Sequence, residues 1–208
     1  IDGHDDVVRS FHQAIERGRL AHAYLLIGPS GVGKRLFAQK LAQTLLCEDR
    51  PESDFNPCGQ CAGCAQTQAG SHPDLMQLGR LADKHELTIE VIRQVLHDLG
   101  FKPDRGRYKI AIIDDADDMN PESANCFLKC LEEPPPRSLL LLIGTSPDLQ
   151  LATIRSRCQV VRFQSLPTSV VSRVLLQTGV VSDAAHATRL AAMSGGSLER
   201  ARGFADPD

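Results

Sequence analysis

The sequence lacks the features that would identify a membrane protein or a free-standing nucleic-acid binder. None of its apolar runs approaches the roughly 20 residues that a transmembrane helix needs, and its first residues show no secretory-signal pattern. Lysines and arginines number 23 against 26 aspartates and glutamates, so the formal net charge is −3; autonomous nucleic-acid binders are usually strongly basic. These absences predict a cytoplasmic protein in which any DNA contact is a local patch.

A disulfide framework is not predicted either, because the seven cysteines are odd in number and four of them cluster, which suits metal binding better. Cys47, Cys58, Cys61 and Cys64 have the spacing C-x10-C-x2-C-x2-C, which predicts structural Zn²⁺ held by four thiolates with no position left for a catalytic water. An iron–sulfur cluster or a redox-active pair remains an alternative. The other cysteines are predicted to be small buried apolar residues, namely Cys126, Cys130 and Cys158.

The pattern of apolar residues predicts an α/β fold. Five nearly continuous apolar stretches alternate with helical periodicity, which is typical of a parallel sheet covered by helices on both faces. The stretches are "AYLLIG", "PDLMQL", "YKIAIIDD", "SLLLLIG" and "QVVRF". After Pro167 only helical patterns remain, so we expect a first domain over residues 1–166, with the cysteine insertion at 47–72, and a small helical lid domain over 167–208.

Two helix starts carry specific capping signals. Thr88 is a candidate N-cap for a helix through Ile92 and Leu99. Asn120 followed by Pro121 predicts another helix start, and Pro134 is expected to end that helix.

The segment "GPSGVGK" predicts a phosphate-binding loop, because it follows an apolar strand and precedes a helix. In such a loop, backbone N–H groups converge on an anion at a helix N-terminus, and the lysine meets the phosphates. A tight strand-to-helix turn without phosphate binding is the alternative. The candidate residues are Gly28, Gly31, Val32, Gly33, Lys34 and Arg35.

Arg35 stands where a serine or threonine hydroxyl normally binds Mg²⁺. A guanidinium carries only donors and a permanent positive charge, so it cannot bind a cation. The acidic strand end offers Asp114 as a carboxylate for Mg²⁺ and Asp115 at the position of a water-polarising glutamate, one methylene too short. We therefore expect Mg²⁺-dependent hydrolysis to be impaired, although a simple solvated turn would explain both aspartates.

Three motifs make the sequence resemble the AAA+ subunits of bacterial sliding-clamp loaders over residues 4–203. They are "HAYLLIGPSGVGK", "NCFLKCLEEPP" and "TIRSRCQ", and they occur together with the cysteine insertion in the order of that family. Because the hydroxyl is missing, the sequence is more similar to the delta-prime type of subunit than to the ATP-hydrolysing gamma/tau type. The resemblance implies gamma/tau and delta subunits of DNA polymerase III as partners, and the sliding clamp and primer-template DNA through the assembly.

The resemblance also implies roles for particular residues. Arg157 in "SRC" matches the arginine that acts in trans on a neighbour's ATP, although a local salt bridge is an alternative. Thr145 matches the sensor position, with Ser146 as another candidate and an ordinary strand-end turn as the alternative. Glu199 stands where the ATPase subunits carry an arginine, which weakens the expectation that the lid clamps a triphosphate.

The sequence therefore leaves two functions open. One is a largely non-hydrolysing subunit of the clamp loader, and the other is an active ATPase, either a gamma/tau-like motor or another AAA+ enzyme. ATP or ADP binding stays open, and Mg²⁺ is not expected. A basic segment containing Lys102, Arg105, Arg107 and Lys109 is either a phosphate-backbone contact or a solvated turn.

Overall fold

Five parallel strands form the centre of this computed structural model, which describes residues 2–79 and 89–205. The strands are β1 (Ala23–Ile27), β2 (Leu75–Leu78), β3 (Lys109–Ile113), β4 (Ser138–Gly144) and β5 (Gln159–Arg162). Their order in the sheet is β2-β3-β4-β1-β5. All four pairings are parallel, so the fold has the sheet that the sequence predicts.

The helices surround this sheet. They are α1 (Asp5–Glu16), α2 (Lys34–Leu45), α3 (Ala62–Ala69), α4 (Ile89–Leu99), α5 (Pro121–Glu132), α6 (Ala152–Arg155), α7 (Thr168–Gln177), α8 (Ala184–Met193) and α9 (Leu198–Ala205). Thr88, the expected N-cap of α4, lies outside the described residues. Nowhere in the described ranges is a helix both long enough and apolar enough to cross a membrane.

Alternating side chains give the sheet two apolar faces. On one face Tyr24, Leu26 and Leu141 pack in a cluster with residues of α1, α2 and the last three helices. On the opposite face Leu25 and Leu140 pack in a second cluster with residues of α4, α5 and α6. The central strands β1, β3 and β4 are buried on both sides, which explains why they appear in the sequence as continuous apolar runs, whereas β2 and β5 at the two margins of the sheet are more exposed.

Helix α5 begins as its capping residues predict. The Asn120 side chain accepts a hydrogen bond from the Ser123 N–H (2.8 Å), and Pro121 occupies the first turn. Such a cap contributes about 1 kcal/mol. The helix buries Phe127 and Leu131 in the second cluster and ends at Glu132, before Pro134, as predicted.

The three helices after β5 share the first apolar cluster with the sheet. Val171, Leu175 and Leu190 are buried in it, and the Leu166 N–H donates to the Gly196 carbonyl (3.1 Å). From α7 to the end of α9 the described residues form helices and loops, and no strand occurs among them. Their separation as a domain beginning near residue 167 stays a prediction.

A buried carboxylate organises the loop before β3. The two oxygens of Asp74 accept hydrogen bonds from the backbone N–H groups of Asp104 (2.6 Å), Arg105 (2.8 Å) and Gly106 (2.7 Å). Lys109 is also buried, and its Nζ lies 3.4 Å from Asp74 Oδ1 and 2.8 Å from Asp104 Oδ2. Lys109 is therefore not part of a solvated basic turn, which corrects one member of the segment that the sequence indicated.

We expect Asp74→Ala to lower the free energy of unfolding by about 3–5 kcal/mol, because it leaves Lys109 and three backbone donors without their buried acceptor. Asp104→Ala is the matched control. Its carboxylate is 60% exposed, so its loss should cost less than about 1 kcal/mol. Urea denaturation measures both, and equal losses would contradict the assigned role of Asp74.

The same carboxylate predicts a pH dependence. Burial raises the pKa of Asp74, but hydrogen bonds from Gly106, Asp104, Arg105 and Lys109 outweigh it and hold the pKa below its ordinary value. A depressed folded-state pKa contributes stability above the unfolded pKa of about 3.9, and this contribution is lost as the pH falls through the folded value. Urea denaturation below pH 4 should therefore show a steeper loss for wild type than for Asp74→Asn.

Candidate functional site: a phosphate-loop cavity, a distant arginine and a thiolate cluster

A cavity of about 400 Å³ lies at the carboxyl edge of the sheet. Its walls are the loops that follow β1, β3 and β4, together with the start of α9. Because parallel strands all end at this edge, the structure brings the predicted loop, the acidic strand end and the predicted sensor together. The lining includes Gly31, Lys34, Arg35, Asp114, Asp115 and Thr145.

The glycine loop has the backbone shape that its sequence requires. Gly28, Gly31 and Gly33 all have positive φ angles, of 148°, 73° and 104°, which L-residues with a side chain rarely adopt. A Cβ atom on Gly28 would also collide with the backbone carbonyl oxygen of Phe163. Val32 has its side chain in the core, and its carbonyl lies 2.8 Å from Nε2 of His4.

Lys34 bonds to the loop itself. Its Nζ donates to the carbonyl oxygens of Gly28 (2.6 Å) and Pro29 (2.7 Å). Burial lowers the pKa of Lys34, while the charges of Asp114, Asp117, Asp115 and Glu199 oppose that shift. A phosphate entering the cavity would compete with these two carbonyls for the ammonium.

Arg35 pairs with the acidic strand end. Its Nη1 lies 3.6 Å from Oδ2 of Asp114. Burial and the charge of the neighbouring Asp115 raise the pKa of Asp114 above its ordinary value, although the positive charges of Arg35 and Lys34 oppose this shift. Arg35 thus places its positive charge beside Asp114, the carboxylate that the sequence analysis named as a candidate for Mg²⁺.

Asp115 follows in a left-handed conformation, with φ at 52°. Its N–H donates to Oδ1 of Asp114 (3.1 Å), so the two residues form a tight turn at the end of β3. Both aspartates line the cavity, as expected of an acidic strand end.

Asp117 is a site residue that the sequence analysis missed. One of its oxygens accepts from both the N–H and the hydroxyl of Thr145 (2.6 Å each), and the other accepts from the Gln150 amide (2.7 Å). Thr145 lines the cavity, whereas Ser146 caps the next turn by accepting from the Asp148 N–H (3.3 Å). Of the two candidates only Thr145 lines the cavity and is held by Asp117; its role as a sensor stays a prediction.

The start of α9 closes one side of the loop. The Leu198 N–H donates to the Gly31 carbonyl (2.9 Å), and a Cβ atom on Gly31 would lie 2.6 Å from Cβ and 2.9 Å from the backbone nitrogen of Glu199. Glu199 lines the cavity. A carboxylate therefore lies where the resemblance to ATPase subunits would have required an arginine.

Arg157 lies at the opposite edge of the sheet. It precedes β5, and β5 runs parallel to β1 with Tyr24 opposite Gln159, so Arg157 is near the amino ends of the strands. The five residues of β1 alone span roughly 16 Å between the two edges. The Arg157 Nη2 atom donates to Oε1 of Glu132 (2.7 Å), and Nη1 donates to the Thr153 carbonyl (3.0 Å). The salt bridge considered as an alternative is therefore present.

The four clustered cysteines are arranged to hold a metal ion. Their sulfur atoms all lie within 4.8 Å of one another, and the pairs Cys47–Cys61 and Cys58–Cys64 are separated by 3.9 Å. A tetrahedral site with Zn–S bonds of about 2.3 Å has sulfur separations of about 3.8 Å. Of the remaining cysteines, Cys158 is buried, whereas Cys126 and Cys130 are only half-buried, contrary to expectation.

Backbone groups support the thiolates. The N–H groups of Glu48 and Cys64 point to the Cys61 sulfur (3.4 and 3.3 Å), and that of Cys61 points to the Cys58 sulfur (3.2 Å). Such donors stabilise the negative charge that metal binding requires. The cluster joins the end of α2 to the start of α3, where a Cβ on Gly63 would collide with the Leu46 carbonyl.

Comparisons with known proteins identify the family. A family model described as "DNA polymerase III, delta subunit" matches residues 3–167. The DNA polymerase III subunit delta' of Pseudomonas aeruginosa is 37% identical over 182 residues, which cover 87% of this chain and 55% of that protein. The DNA polymerase III subunit tau of Escherichia coli is 32% identical over 208 residues, which cover 98% of this chain and 32% of that protein.

A solved structure supports the fold. The crystal structure of a DNA polymerase III gamma subunit-related protein from Thermotoga maritima matches with a TM-score of 0.59 at 21% identity, over 88% of this chain and 57% of that one. At this identity the likeness shows the fold alone, and it confirms the predicted parallel sheet with flanking helices. The chain spans about half the length of the delta' relative.

The contact between loop and α9 gives a prediction. We expect Gly31→Ala to lower the free energy of unfolding more than Gly33→Ala does. Both substitutions place an alanine where the backbone has a positive φ angle, at a cost on the order of 1–2 kcal/mol. Of these two positions, Gly31 alone has neighbours within 4 Å of the added Cβ, so only Gly31→Ala should also displace α9.

Urea denaturation gives the two free energies, and hydrogen exchange at the Leu198 amide reports the contact itself. The exchange should accelerate in Gly31→Ala and stay near wild type in Gly33→Ala. Similar exchange in the two variants would show that α9 does not depend on the loop.

Proposed function

Since this chain belongs to the delta-prime subunit family of DNA polymerase III, we propose that it is a clamp-loader subunit that lends Arg157 to a neighbour's ATP site. In this role it hydrolyses little ATP itself. The proposed partners are the gamma/tau and delta subunits, and through the assembly the sliding clamp and primer-template DNA. The proposed enzyme activity therefore belongs to the holoenzyme complex, and the proposed location is the cytoplasm.

The observation that carries this proposal is the position of Arg157. It lies at the amino edge of the sheet, whereas the chain's own cavity lies at the carboxyl edge. A side chain at that distance cannot reach a phosphate in its own cavity, but it can enter the site of a neighbouring subunit. A guanidinium there would stabilise the charge that develops on the transferred phosphoryl group.

The chain's own cavity supports the non-hydrolysing part of the proposal. Arg35 pairs with Asp114 at 3.6 Å, Lys34 bonds to the loop carbonyls, and Glu199 adds a negative charge beside the loop. Each arrangement disfavours a bound triphosphate with Mg²⁺. A weak complex with ATP or ADP is compatible with the intact glycine loop.

Two finer proposals complete the description. We propose structural Zn²⁺ as the metal of the cysteine cluster, because four thiolates at these separations fit tetrahedral coordination and leave no place for a catalytic water. We also propose that residues 1–166 form the nucleotide-binding-like domain and 167–208 a helical lid domain, since β5 is followed by helices alone in the described structure.

A second candidate is an active ATPase of the gamma/tau type. The glycine loop followed by Lys34 favours it, and so does the identity to the tau subunit. It requires Mg²⁺ to bind without a hydroxyl at position 35.

ATP turnover tests the proposed function. The purified full-length protein should show negligible Mg²⁺-dependent turnover, and Arg157→Ala should lower the DNA-stimulated rate of the reconstituted loader while leaving its assembly intact. The site that receives the arginine should lose on the order of 10³-fold in rate, as for other trans-acting arginines; the remaining sites keep their own rates, so the total falls only in part.

Arg155→Ala is the matched control, because Arg155 is a nearby arginine that pairs with Asp148 on the surface. It should leave the rate of the loader unchanged. An unchanged rate in Arg157→Ala would reject the trans role, and rapid turnover by the isolated protein that is lost in Lys34→Ala would favour the ATPase candidate.

Elemental analysis tests the metal. The natively purified protein should contain about one zinc per chain, and Cys58→Ser should lose it, because three thiolates hold zinc more weakly than four. Cys126→Ser is the control, since this half-buried cysteine lies on α5 outside the cluster. Iron in the wild-type sample, or zinc retained in full by Cys58→Ser, would contradict the assignment.

A further inference from the structure

Arg157 is held in a defined orientation by two separate elements. Its Nη1 donates to the Thr153 carbonyl (3.0 Å) and contacts the Ser156 hydroxyl (3.3 Å), both in the turn around α6. Its Nη2 donates to Oε1 of Glu132 (2.7 Å), which is the last residue of α5. The turn and the carboxylate therefore fix two different nitrogens of one planar group.

These contacts leave donors of the guanidinium for another ligand. A guanidinium has five N–H donors in a rigid plane, and the three contacts of Arg157 account for three of them. The side chain remains 34% exposed. A partly exposed guanidinium that is already held through Nη1 and Nη2, with two N–H donors left over, can bind an additional oxyanion without first being ordered.

The helix that carries Glu132 is held near both ends. Helix α5 is capped at Asn120, and near its other end the Leu131 carbonyl lies 3.1 Å from Nε2 of His22, the residue before β1. The carboxylate thus belongs to an element that is tied to the amino edge of the sheet. The pair itself is partly exposed, with Glu132 at 54%, and such pairs contribute little to stability.

We infer that Glu132 is a positioning residue, which orients the Arg157 guanidinium for the phosphate of a neighbouring subunit. This inference rests on the proposed function, because it needs Arg157 to act in trans. Glu132 touches Arg157 and not the nucleotide. Its loss should therefore affect the rate of the chemical step and leave ATP binding unchanged, since misplacing a reacting group by about 1 Å can cost about a hundredfold in rate.

The experiment uses the full-length protein reconstituted with the other loader subunits and DNA. The Arg157-dependent rate is defined as the difference between wild type and Arg157→Ala in DNA-stimulated ATPase. We expect Glu132→Ala to lose most of this difference in kcat, with the KM for ATP unchanged. Glu132→Gln should retain more of it, because its amide oxygen can still accept from Nη2.

Glu133→Ala is the matched control, because it removes the same charge from the adjacent exposed position, and it should behave as wild type. In the Arg157→Ala background, Glu132→Ala should have no further effect. Melting of the free protein and size-exclusion chromatography of the complex should be unchanged in every variant.

The outcomes separate the inference from its premise. If Arg157→Ala lowers the rate and Glu132→Ala matches Glu133→Ala, the positioning role is wrong and the trans role stands. If Glu132→Ala lowers the rate equally with and without Arg157, it acts through folding or assembly, and the inference is again overturned. If Arg157→Ala itself has no effect, the proposed trans role is wrong, and the positioning role of Glu132 is rejected with it.

Discussion

Parallel pairing of the five strands is the constraint from which the functional geometry follows. It collects the ends of β1, β3 and β4 at one edge, where the loop, the acidic turn and Thr145 enclose a cavity. It collects the strand starts at the other edge, where Arg157 meets Glu132. The described structure therefore presents two different surfaces, and the proposed trans role of Arg157 requires the arginine edge of one subunit to face the cavity edge of the next.

Both edges of the sheet pair positive charge with groups of the same chain. At the cavity, Lys34 and Arg35 are bonded within the chain, to carbonyls and to Asp114. At the other edge, Arg157 pairs with a carboxylate but remains partly exposed. Lys34 is buried, whereas Arg35 and Arg157 both remain partly exposed, at 62% and 34%.

The sequence predicted those features that depend on local pattern. The strands, the Asn120 cap and the clustering of the four cysteines are short-range signals, and the structure confirms them, although only β1, β3 and β4 are buried along their whole length. The contact between Asp117 and Thr145 was missed, because it joins residues 28 apart and Asp117 reads as one of several acids in a turn. The partner of Arg157 could not be identified either, since Glu132 and Glu133 are equivalent in sequence and only the end of α5 distinguishes them. Burial of Lys109 likewise depends on Asp74, 35 residues away.

Close packing around the glycine loop requires its glycines whether or not the loop binds a nucleotide. Gly28 is excluded from bearing a side chain by the backbone of Phe163, and Gly31 by the first turn of α9. Selection for folding alone would preserve both glycines, generation after generation, in a lineage that had stopped using nucleotide. The glycine pattern therefore indicates inherited packing as readily as it indicates nucleotide use.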